Sequence, residues 1–330
     1  MHAHWQQWLD RPGIELEGDV VVTTPTAESK TRSVALTDYS IISVNGPDAH
    51  KFLQGQLSCD LAKVDTDDNL PGAHCNIKGH IHSLFQVIKA GDDSYWLRTR
   101  SELAESSLAL LKKYIIFSRA EAVLQPDLLG IGLVGRDSVA LMQVTLPEGA
   151  VTVAHNDQLG EIWLPAEQLA PTLERLQEQA PLDSRNSWEL AAVNAAIPEL
   201  FPATREAFIP QMVNLQVFEG VSFNKGCYTG QEIVTRLQHR GQLKRPMYLA
   251  AVAAEQAPQP GGNLASQDKA SVGQIVRVAE EQPGRYRLLA VLIKAEAEAG
   301  QIHLDNADGP TLELLPLPYT LDPSLFVSKR

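Results

Sequence analysis

The chain has 330 residues, of which 44% are hydrophobic and 21% are charged, and its formal net charge is −12. This composition is typical of a soluble globular protein with two or three domains, and the acidic balance argues against broad, non-specific binding to nucleic acid or anionic membranes. The sequence shows neither the apolar core of a secretory signal nor an apolar run long enough to span a membrane, so we expect a cytoplasmic protein.

The first 119 residues predict an α+β module. Residues 1–18 carry no clear pattern and are expected to form a loosely attached leader. Short apolar runs predict strands at 20–22, 33–36 and 39–44. An apolar stripe at helical spacing after Pro47 predicts a first helix. The runs 85–88 and 94–97 flank a Gly-Asp-Asp turn and predict a hairpin, which a helix reaching Tyr114 follows.

The rest of the chain divides into three stretches. Residues 120–195 alternate strands with helices and predict a second α+β module, whose last helix carries Trp188. Residues 196–240 lead through 208–211 to a glycine-rich loop at 224–232. Residues 241–330 consist of strand-like runs separated by Gly, Pro and Asn/Asp turns, which predict a small antiparallel β-barrel.

The three cysteines of the chain indicate a reducing compartment. Cys59, Cys75 and Cys227 are an odd number without a CxxC pair, so they form neither a disulfide framework nor a zinc signature. Cys75 lies within the histidine-containing stretch 74–82, but the spacing there fits no standard zinc site. We therefore expect no bound metal.

The loop at 224–232 is the strongest candidate site in the sequence. It joins a β-like run at 217–223 to a helix-like run that begins near Gln231. Thr229 and Glu232 have the Thr-x-x-Glu spacing of a capping box, which predicts Thr229 as the N-cap of the helix.

This cap would place Cys227 beside the unpaired amides and the positive dipole end of the helix. Lys225 adds a positive charge two residues away, and such surroundings favour the reactive thiolate. Arg236 follows Glu232 by four residues, the spacing of a helical ion pair. The alternative is that Cys227 is simply a small residue in a glycine-rich turn.

Two aromatic residues and one basic segment each have two possible roles. Trp188 lies in the first turn of its helix and is either a core anchor or a plate on which a flat ligand stacks, and Tyr39 carries the same ambiguity. The segment 236–245 is basic, and it meets an anion or a partner or is a solvated linker. Direct contact with a nucleic acid would need this segment, and the acidic chain disfavours such contact.

One run of residues carries a resemblance to a known family. Lys225-Gly226-Cys227-Tyr228-Thr229-Gly230-Gln231-Glu232, followed by Arg236, resembles the signature of YgfZ-type folate-binding proteins, the bacterial relatives of a mitochondrial iron–sulfur assembly factor. Further blocks that resemble this family lie at 45–49, 52–56, 112–118, 208–215 and 315–319.

The resemblance implies the α+β fold of the glycine cleavage T protein. Two α+β modules and a C-terminal antiparallel β-barrel would surround a central folate channel. The modules would be residues 1–119 with 196–240, which carry the signature loop, and residues 120–195, with the barrel at 241–330. Two aromatic positions of the family contact folate and fall on Tyr39 and Trp188. The family has tryptophan at the first, so Tyr39 is a departure that keeps a stacking face with less area.

The resemblance also implies a function. A folate-binding accessory protein would support iron–sulfur enzymes and thereby tRNA methylthiolation, with tetrahydrofolate or a derivative as cofactor. Its partners would be those enzymes or their assembly factors. We expect no direct contact with tRNA, because the chain is acidic, and we expect a monomer. Cys227 would be its reactive thiol.

The T protein carries an Asp pair in a Gly-Gly-Ile-x-Asp-Asp block, one of whose carboxylates assists methylene transfer. The comparable stretch 78–83 has no carboxylate, which disfavours an aminomethyltransferase, although His82 is a candidate base. Two alternatives stay open: a folate-dependent one-carbon transferase, and a non-catalytic interaction module in which Cys227 is structural.

Overall fold

A computed structural model describes residues 1–24, 29–240 and 242–327 of the chain. The N-terminal part contains α1 (Ala3–Leu9), β1 (Glu15–Glu17), β2 (Val20–Thr23), β3 (Thr31–Ala35), β4 (Tyr39–Asn45), α2 (Ala49–Gln56), α3 (Leu61–Asp67), β5 (Asn69–Cys75), β6 (Ile81–Gly91), β7 (Ser94–Arg100) and α4 (Ser101–Ile115). The middle part contains β8 (Glu121–Gln125), β9 (Leu128–Gly135), α5 (Ser138–Thr145), β10 (Val151–Asn156), β11 (Leu159–Pro165), α6 (Leu169–Leu176), β12 (Leu182–Asp183) and α7 (Arg185–Asn194).

The C-terminal part contains α8 (Gln231–Arg240), β13 (Met247–Ala253), β14 (Asn263–Ala265), β15 (Gly273–Gln282), β16 (Arg285–Leu292), α9 (Lys294–Ala299), β17 (His303–Leu304) and β18 (Glu313–Leu315). Short 3-10 turns lie at Ala166–Gln168, Pro202–Thr204, Leu215–Phe218 and Pro323–Phe326.

The first sheet has the order β5-β6-β7-β4-β8, and all of its pairs are antiparallel. β6 and β7 pair around the turn at 91–94, which confirms the predicted hairpin. Helices α2, α3 and α4 contribute apolar side chains such as Phe52, Val64 and Leu111 to one core with this sheet. The opposite face of β6 contributes Leu84 to a separate cluster that it shares with residues 196–240, the returning segment.

The second sheet has the order β10-β11-β9-β3-β12, with β12 parallel to β3. Its core includes α6 and α1, whose Trp5 is 1% exposed, so the N-terminal stretch is not the loosely attached leader that the sequence pattern suggested. The two sheets also exchange strands across the predicted boundary at 119/120. β3 pairs with β9 in the second sheet, and β8 pairs with β4 in the first.

The C-terminal strands form a six-stranded antiparallel sheet with the order β17-β14-β15-β16-β13-β18. This agrees with the antiparallel strands predicted for 241–330. β15 also packs against α7, so the C-terminal sheet adjoins the helix that carries Trp188. Among the described helices, none has the length and apolar composition that crossing a bilayer requires.

The returning segment differs most from the prediction. The expected strand at 217–223 is wrong, because Leu215–Phe218 form a 3-10 turn. Asn214 and Glu219, on either side of it, have φ values of 56° and 57°, in the left-handed region that an extended strand excludes. Gly220 packs so closely on Leu215 that a Cβ would lie 2.5 Å from its Cγ. The signature loop therefore follows a 3-10 turn and irregular backbone, and not a strand.

Candidate functional site

A cavity of about 210 Å³ lies where the two N-terminal sheets meet the returning segment. β5 and β6 supply apolar walls such as Leu84 and Phe85, β10 supplies His155, and the 3-10 turn supplies Phe218. Polar groups converge on one side, where Arg98 and Glu199 reach the cavity. Concave, mostly apolar sites with a few convergent polar groups are the usual form of ligand sites.

Arg98 is a buried cation held between two buried carboxylates. Its Nη1 donates to Glu199 Oε2 at 3.2 Å, and its Nη2 lies 3.2 Å from Glu161 Oε1. The Tyr39 hydroxyl also donates to Glu199 Oε2, at 2.8 Å. Because β7, β11 and the returning segment each contribute one of the charged groups, this contact joins the first and second sheets beside the cavity.

Glu161 is fully buried and has further partners. Trp163 Nε1 donates to its Oε2 at 2.6 Å, and His155 Nε2 lies 2.6 Å from its Oε1. Burial raises the pKa of Glu161, but Arg98 and these two partners outweigh burial and bring the pKa to about 2. The carboxylate is therefore ionised at neutral pH and keeps Arg98 compensated.

Tyr39 lies at the centre of a group of arginines. The guanidinium carbons of Arg98, Arg185 and Arg100 lie 4.4, 5.1 and 5.5 Å from its ring centroid. Arginines at such distances make cation–π contacts. The ring is only 6% exposed, so its faces are covered by protein side chains, and it is not an open stacking plate. Burial and the Glu199 carboxylate raise the pKa of the Tyr39 hydroxyl, and this outweighs the lowering effect of the nearby arginines.

A second ion network extends from this centre to the C-terminal sheet. Asp38 binds Arg100 at 2.7 Å and Arg185 at 2.8 Å. Arg185 binds Glu189 at 2.8 Å, and Glu189 also pairs with Arg277 of β15. Arg277 is 2% exposed, so a buried charge of the C-terminal sheet is compensated by the Glu189 carboxylate of α7.

Trp188 is a core residue. It is 2% exposed, and its ring meets His155 edge-on at 5.9 Å between centroids. A Cβ at Gly132 would lie 2.6 Å from the ring, so glycine in β9 makes room for the indole. Trp188 and Tyr39 belong to one apolar cluster, but among the described residues neither lines the cavity directly, so their predicted contact with folate stays a prediction. His155 is the group that links Trp188 to the cavity.

The signature loop exposes its cysteine. Cys227 is exposed, and a Cβ at the neighbouring Gly226 would meet no atom within 4 Å. The helix begins at Gln231, directly after Gly230 with φ +83°, so the cap lies one residue later than the Thr229 predicted from the capping box. Thr229 instead donates its backbone N–H to Gly55 O at 3.3 Å.

Lys225 has a different role from the one predicted. Its Nζ donates to Leu57 O at 2.8 Å and to Cys59 O at 2.6 Å, and lies 5.2 Å from the Tyr228 ring centroid. Burial lowers the pKa of Lys225 to about 8. The ammonium therefore attaches the loop to the residues that follow α2, because it donates its hydrogen bonds to two backbone carbonyls there.

The helical pair predicted between Glu232 and Arg236 does not form among the described side chains. The basic segment 236–245 lies partly outside the described residues, because Gly241 and the side chains at 238–240 are not described. No group of three or more His, Cys, Asp or Glu in the described part of the chain is arranged to hold a metal ion.

The loop sits on the turn between β5 and β6. A Cβ at Gly230 would lie 2.5 Å from Asn76 O and 2.9 Å from Cys75 Cβ, and one at Gly79 would lie 3.0 Å from Ile233 Cβ. Glycine at both positions allows this approach. The Cys227 loop and the stretch 78–83 are therefore one local surface.

A carboxylate reaches this stretch from elsewhere in the chain. Glu206 Oε1 lies 2.8 Å from His82 Nδ1, and Asn76 Nδ2 donates to Glu206 Oε2 at 3.2 Å. Sequence reasoning missed Glu206, Arg98, Glu161 and Glu199. For Glu161 the missed signal was an acidic residue inside an apolar strand, a position where a charge is rarely buried without a partner.

No protein-family model matches the chain. Among solved structures, the glycine cleavage system aminomethyltransferase T from Bartonella henselae is similar with a TM-score of 0.71 and 16% identity, over 88% of this chain and 86% of that one. At this identity the likeness shows the fold alone, and it confirms the α+β fold of T protein type.

Two other likenesses are partial. The heterotetrameric sarcosine oxidase from Corynebacterium sp. U-96 has a TM-score of 0.32 and 11% identity, over 53% of this chain and 91% of that one. The regulatory subunit of aspartate kinase from Thermus thermophilus has a TM-score of 0.29 and 16% identity, over 46% and 98%. Scores this low carry no argument about fold or function.

Proposed function

We propose that this protein binds a reduced folate, tetrahydrofolate or a derivative, in the cavity beside Arg98 and Glu199. With folate bound it acts as a cytoplasmic accessory factor for iron–sulfur enzymes and thereby supports tRNA methylthiolation. The observation that carries the folate proposal is the buried carboxylate of Glu199 at a cavity with apolar walls, within a fold like that of the T protein.

The cavity fits the chemistry of a pteridine head group. A pteridine is flat and apolar on its faces and has adjacent N–H donors on one edge, which a carboxylate accepts in pairs. Leu84, Phe85 and Phe218 would cover the faces, and Glu199 would meet the edge. The volume of about 210 Å³ is below the roughly 300–1,000 Å³ typical of sites for whole drug-sized ligands, so the tail of folate would extend outward.

Cys227 is proposed as the reactive contact with the client. Its side chain is exposed on a loop that Lys225 and Gly230 fasten to the body of the protein. An exposed thiol on a fixed loop suits redox chemistry, transient handling of sulfur or a cluster, or direct contact with an iron–sulfur enzyme. A purely structural cysteine is the least supported alternative, because structural cysteines are usually buried.

A folate-dependent one-carbon transferase is the second candidate function. The observation that favours it is the approach of the Glu206 carboxylate to His82, which supplies a base where the sequence alone shows no carboxylate. Release of formaldehyde equivalents from aminomethyl or N-methyl donors, with and without folate, separates this function from the accessory role.

Folate binding is tested by titrating the purified protein with tetrahydrofolate and following tryptophan fluorescence. Glu199→Gln keeps the shape of the side chain and removes its charge, and it should weaken binding at least about 10-fold, since a hydrogen bond to a charged group contributes roughly 1.5–3 kcal/mol. Glu219→Gln, at an exposed ion pair with Lys63, is the matched control. Absence of any fluorescence change with the wild type would remove the folate proposal.

The role of the thiol is tested in a deletion strain. Cys227→Ser should fail to restore the tRNA methylthio modification, whereas Gly226→Ala, on the same loop and with open space around it, should restore it. Full restoration by Cys227→Ser would show that no essential thiol is present.

A further inference from the structure

Two carboxamide side chains pair on the wall of the cavity. Gln86 Nε2 donates to Asn69 Oδ1 at 2.7 Å, and both residues line the cavity. Gln86 lies in the middle of β6, within the otherwise apolar run 84–88, and is only 7% exposed. A polar group in such a position is costly unless it has hydrogen-bond partners.

The pairing leaves one acceptor and one donor free. Each side-chain amide has a carbonyl oxygen and an NH₂ group, and the bond between the two residues uses one group of each. In the described part of the chain, Gln86 Oε1 and Asn69 Nδ2 have no hydrogen-bond partner, yet both atoms are accessible. Because Gln86 is buried apart from its border with the cavity, its oxygen is available to a ligand there.

The carboxamide pair is a neighbour of the carboxylate at the same cavity. Gln86 lies directly opposite Arg98 in the ladder of β6 and β7, and Arg98 Nη1 donates to Glu199 Oε2 at 3.2 Å. Directly opposed side chains of antiparallel strands have Cβ atoms about 4.5–5.5 Å apart. Arg98 is engaged by Glu161 and Glu199, so the free polar groups beside it are those of the carboxamide pair.

This donor and acceptor complement one edge of a reduced pteridine. In tetrahydrofolate the ring carbonyl at C4, an acceptor, lies next to N5–H, a donor. This edge adjoins the edge whose N–H groups would donate to Glu199. Folic acid and 5-formyltetrahydrofolate have no hydrogen on N5, so either would leave the Gln86 oxygen without a donor when bound, and an unsatisfied buried acceptor is costly.

We propose that the carboxamide pair selects folates that carry a hydrogen on N5, with Gln86 Oε1 accepting N5–H and Asn69 Nδ2 donating to the C4 carbonyl. The inference rests on the proposed function, because it takes the ligand to be a folate whose adjacent edge meets Glu199. Gln86 is then the residue that determines specificity for the state of N5. Substitution at N10 is tolerated, because N10 belongs to the tail that extends out of the cavity.

The first test compares two isomers on the full-length wild-type protein. 5-Formyl- and 10-formyltetrahydrofolate contain the same atoms, but only the second keeps N5–H. Calorimetric titration without oxygen should give an affinity for the 10-formyl isomer that is at least about 10-fold higher, because a site built to bind an N–H rejects an analogue that lacks it. Equal affinities, or tighter binding of the 5-formyl isomer, overturn the inference.

A substitution separates the hydrogen bond from the bulk of the formyl group. Tetrahydrofolate and folic acid both have an unsubstituted N5, and the wild type should prefer tetrahydrofolate at least about 10-fold. Gln86→Met keeps the length of the side chain and removes the acceptor, so it should weaken tetrahydrofolate binding by about this factor and leave folic acid binding unchanged. Gln177→Met, at the exposed end of α6, is the matched control and should change neither affinity.

The outcomes separate this inference from the proposed function. An unchanged preference in Gln86→Met, or equal weakening of both ligands, overturns the inference. Folate binding to the wild type without any preference for N5–H overturns the inference alone and leaves the proposed function in place. Absence of binding for every folate overturns both.

Discussion

Replacement of Arg98 by methionine should destabilise the protein strongly. The substitution keeps the apolar stem and removes the cation that, among the described residues, alone bridges Glu161 and Glu199. The side chains of these two glutamates are 0% and 5% exposed. Removal of one partner from a buried ion pair costs about 3–5 kcal/mol, because the other charge is left buried without compensation. We expect a loss of this size in the free energy of unfolding, measured with denaturant at pH 7 by tryptophan fluorescence.

The pH dependence gives the direction of the effect. Glu161 has a pKa of about 2 in the folded protein against a usual 4.5, so its contribution to stability is present above pH 4.5 and is lost as pH falls toward 2. Without Arg98 the pKa of Glu161 should rise, and protonation then relieves the uncompensated charge. The difference between wild type and Arg98→Met should therefore be largest at neutral pH and shrink on acidification.

A second substitution separates charge from packing. Glu199→Gln in the Arg98→Met background removes one uncompensated carboxylate and keeps the acceptor for Tyr39, so it should recover part of the loss. Arg119→Met, at an exposed pair with Asp48, should leave the unfolding midpoint nearly unchanged. Wild-type stability in Arg98→Met at pH 7, or a difference that grows on acidification, would refute the buried network.

Two further predictions concern the signature loop. Gly230→Ala should lower stability by about 1–3 kcal/mol in thermal unfolding, because φ is +83° and the new Cβ would lie 2.5 Å from Asn76 O, whereas Gly226→Ala should have no effect. Burial lowers the pKa of Lys225 to about 8 from 10.5, so between these values the unfolded chain binds more protons. The free energy of unfolding of the wild type minus that of Lys225→Met should therefore rise with pH in this window. A difference that stays flat or falls would contradict the lowered pKa of a buried Lys225.

Local patterns predicted the parts of the fold that local interactions determine. The hairpin of β6 and β7 follows from two apolar runs around a Gly-Asp-Asp turn, and the structure has it. The run 217–223 has an equally strand-like composition, but composition does not encode the left-handed backbone at Asn214 and Glu219 that interrupts it. The sheet exchange of β3 and β8 was equally hidden, since strand pairing is decided by distant partners.

The candidate site shows the same division. The signature loop predicted Cys227 as a reactive thiol, and the structure shows that this cysteine is exposed, while its role and those of Tyr39 and Trp188 stay predictions. The charges that surround the cavity were not predicted, because each is paired with a group from another segment. The importance of Glu161 and Glu199 is visible only in the fold, where each carboxylate lies 3.2 Å from the guanidinium of Arg98.

Tyr39 shows why the site is understood only from the sequence and the structure together. As a sequence position it was a departure that kept a stacking face. In the structure its hydroxyl donates to Glu199, a contact that tryptophan in its place would not make in the same way, and its ring faces are covered by arginines. Under the proposed function, a folate N–H donor would compete with this hydroxyl for Glu199. Ligand binding would then act on Tyr39 and on the arginines around it, and through Arg185 and Glu189 on Arg277 of the C-terminal sheet.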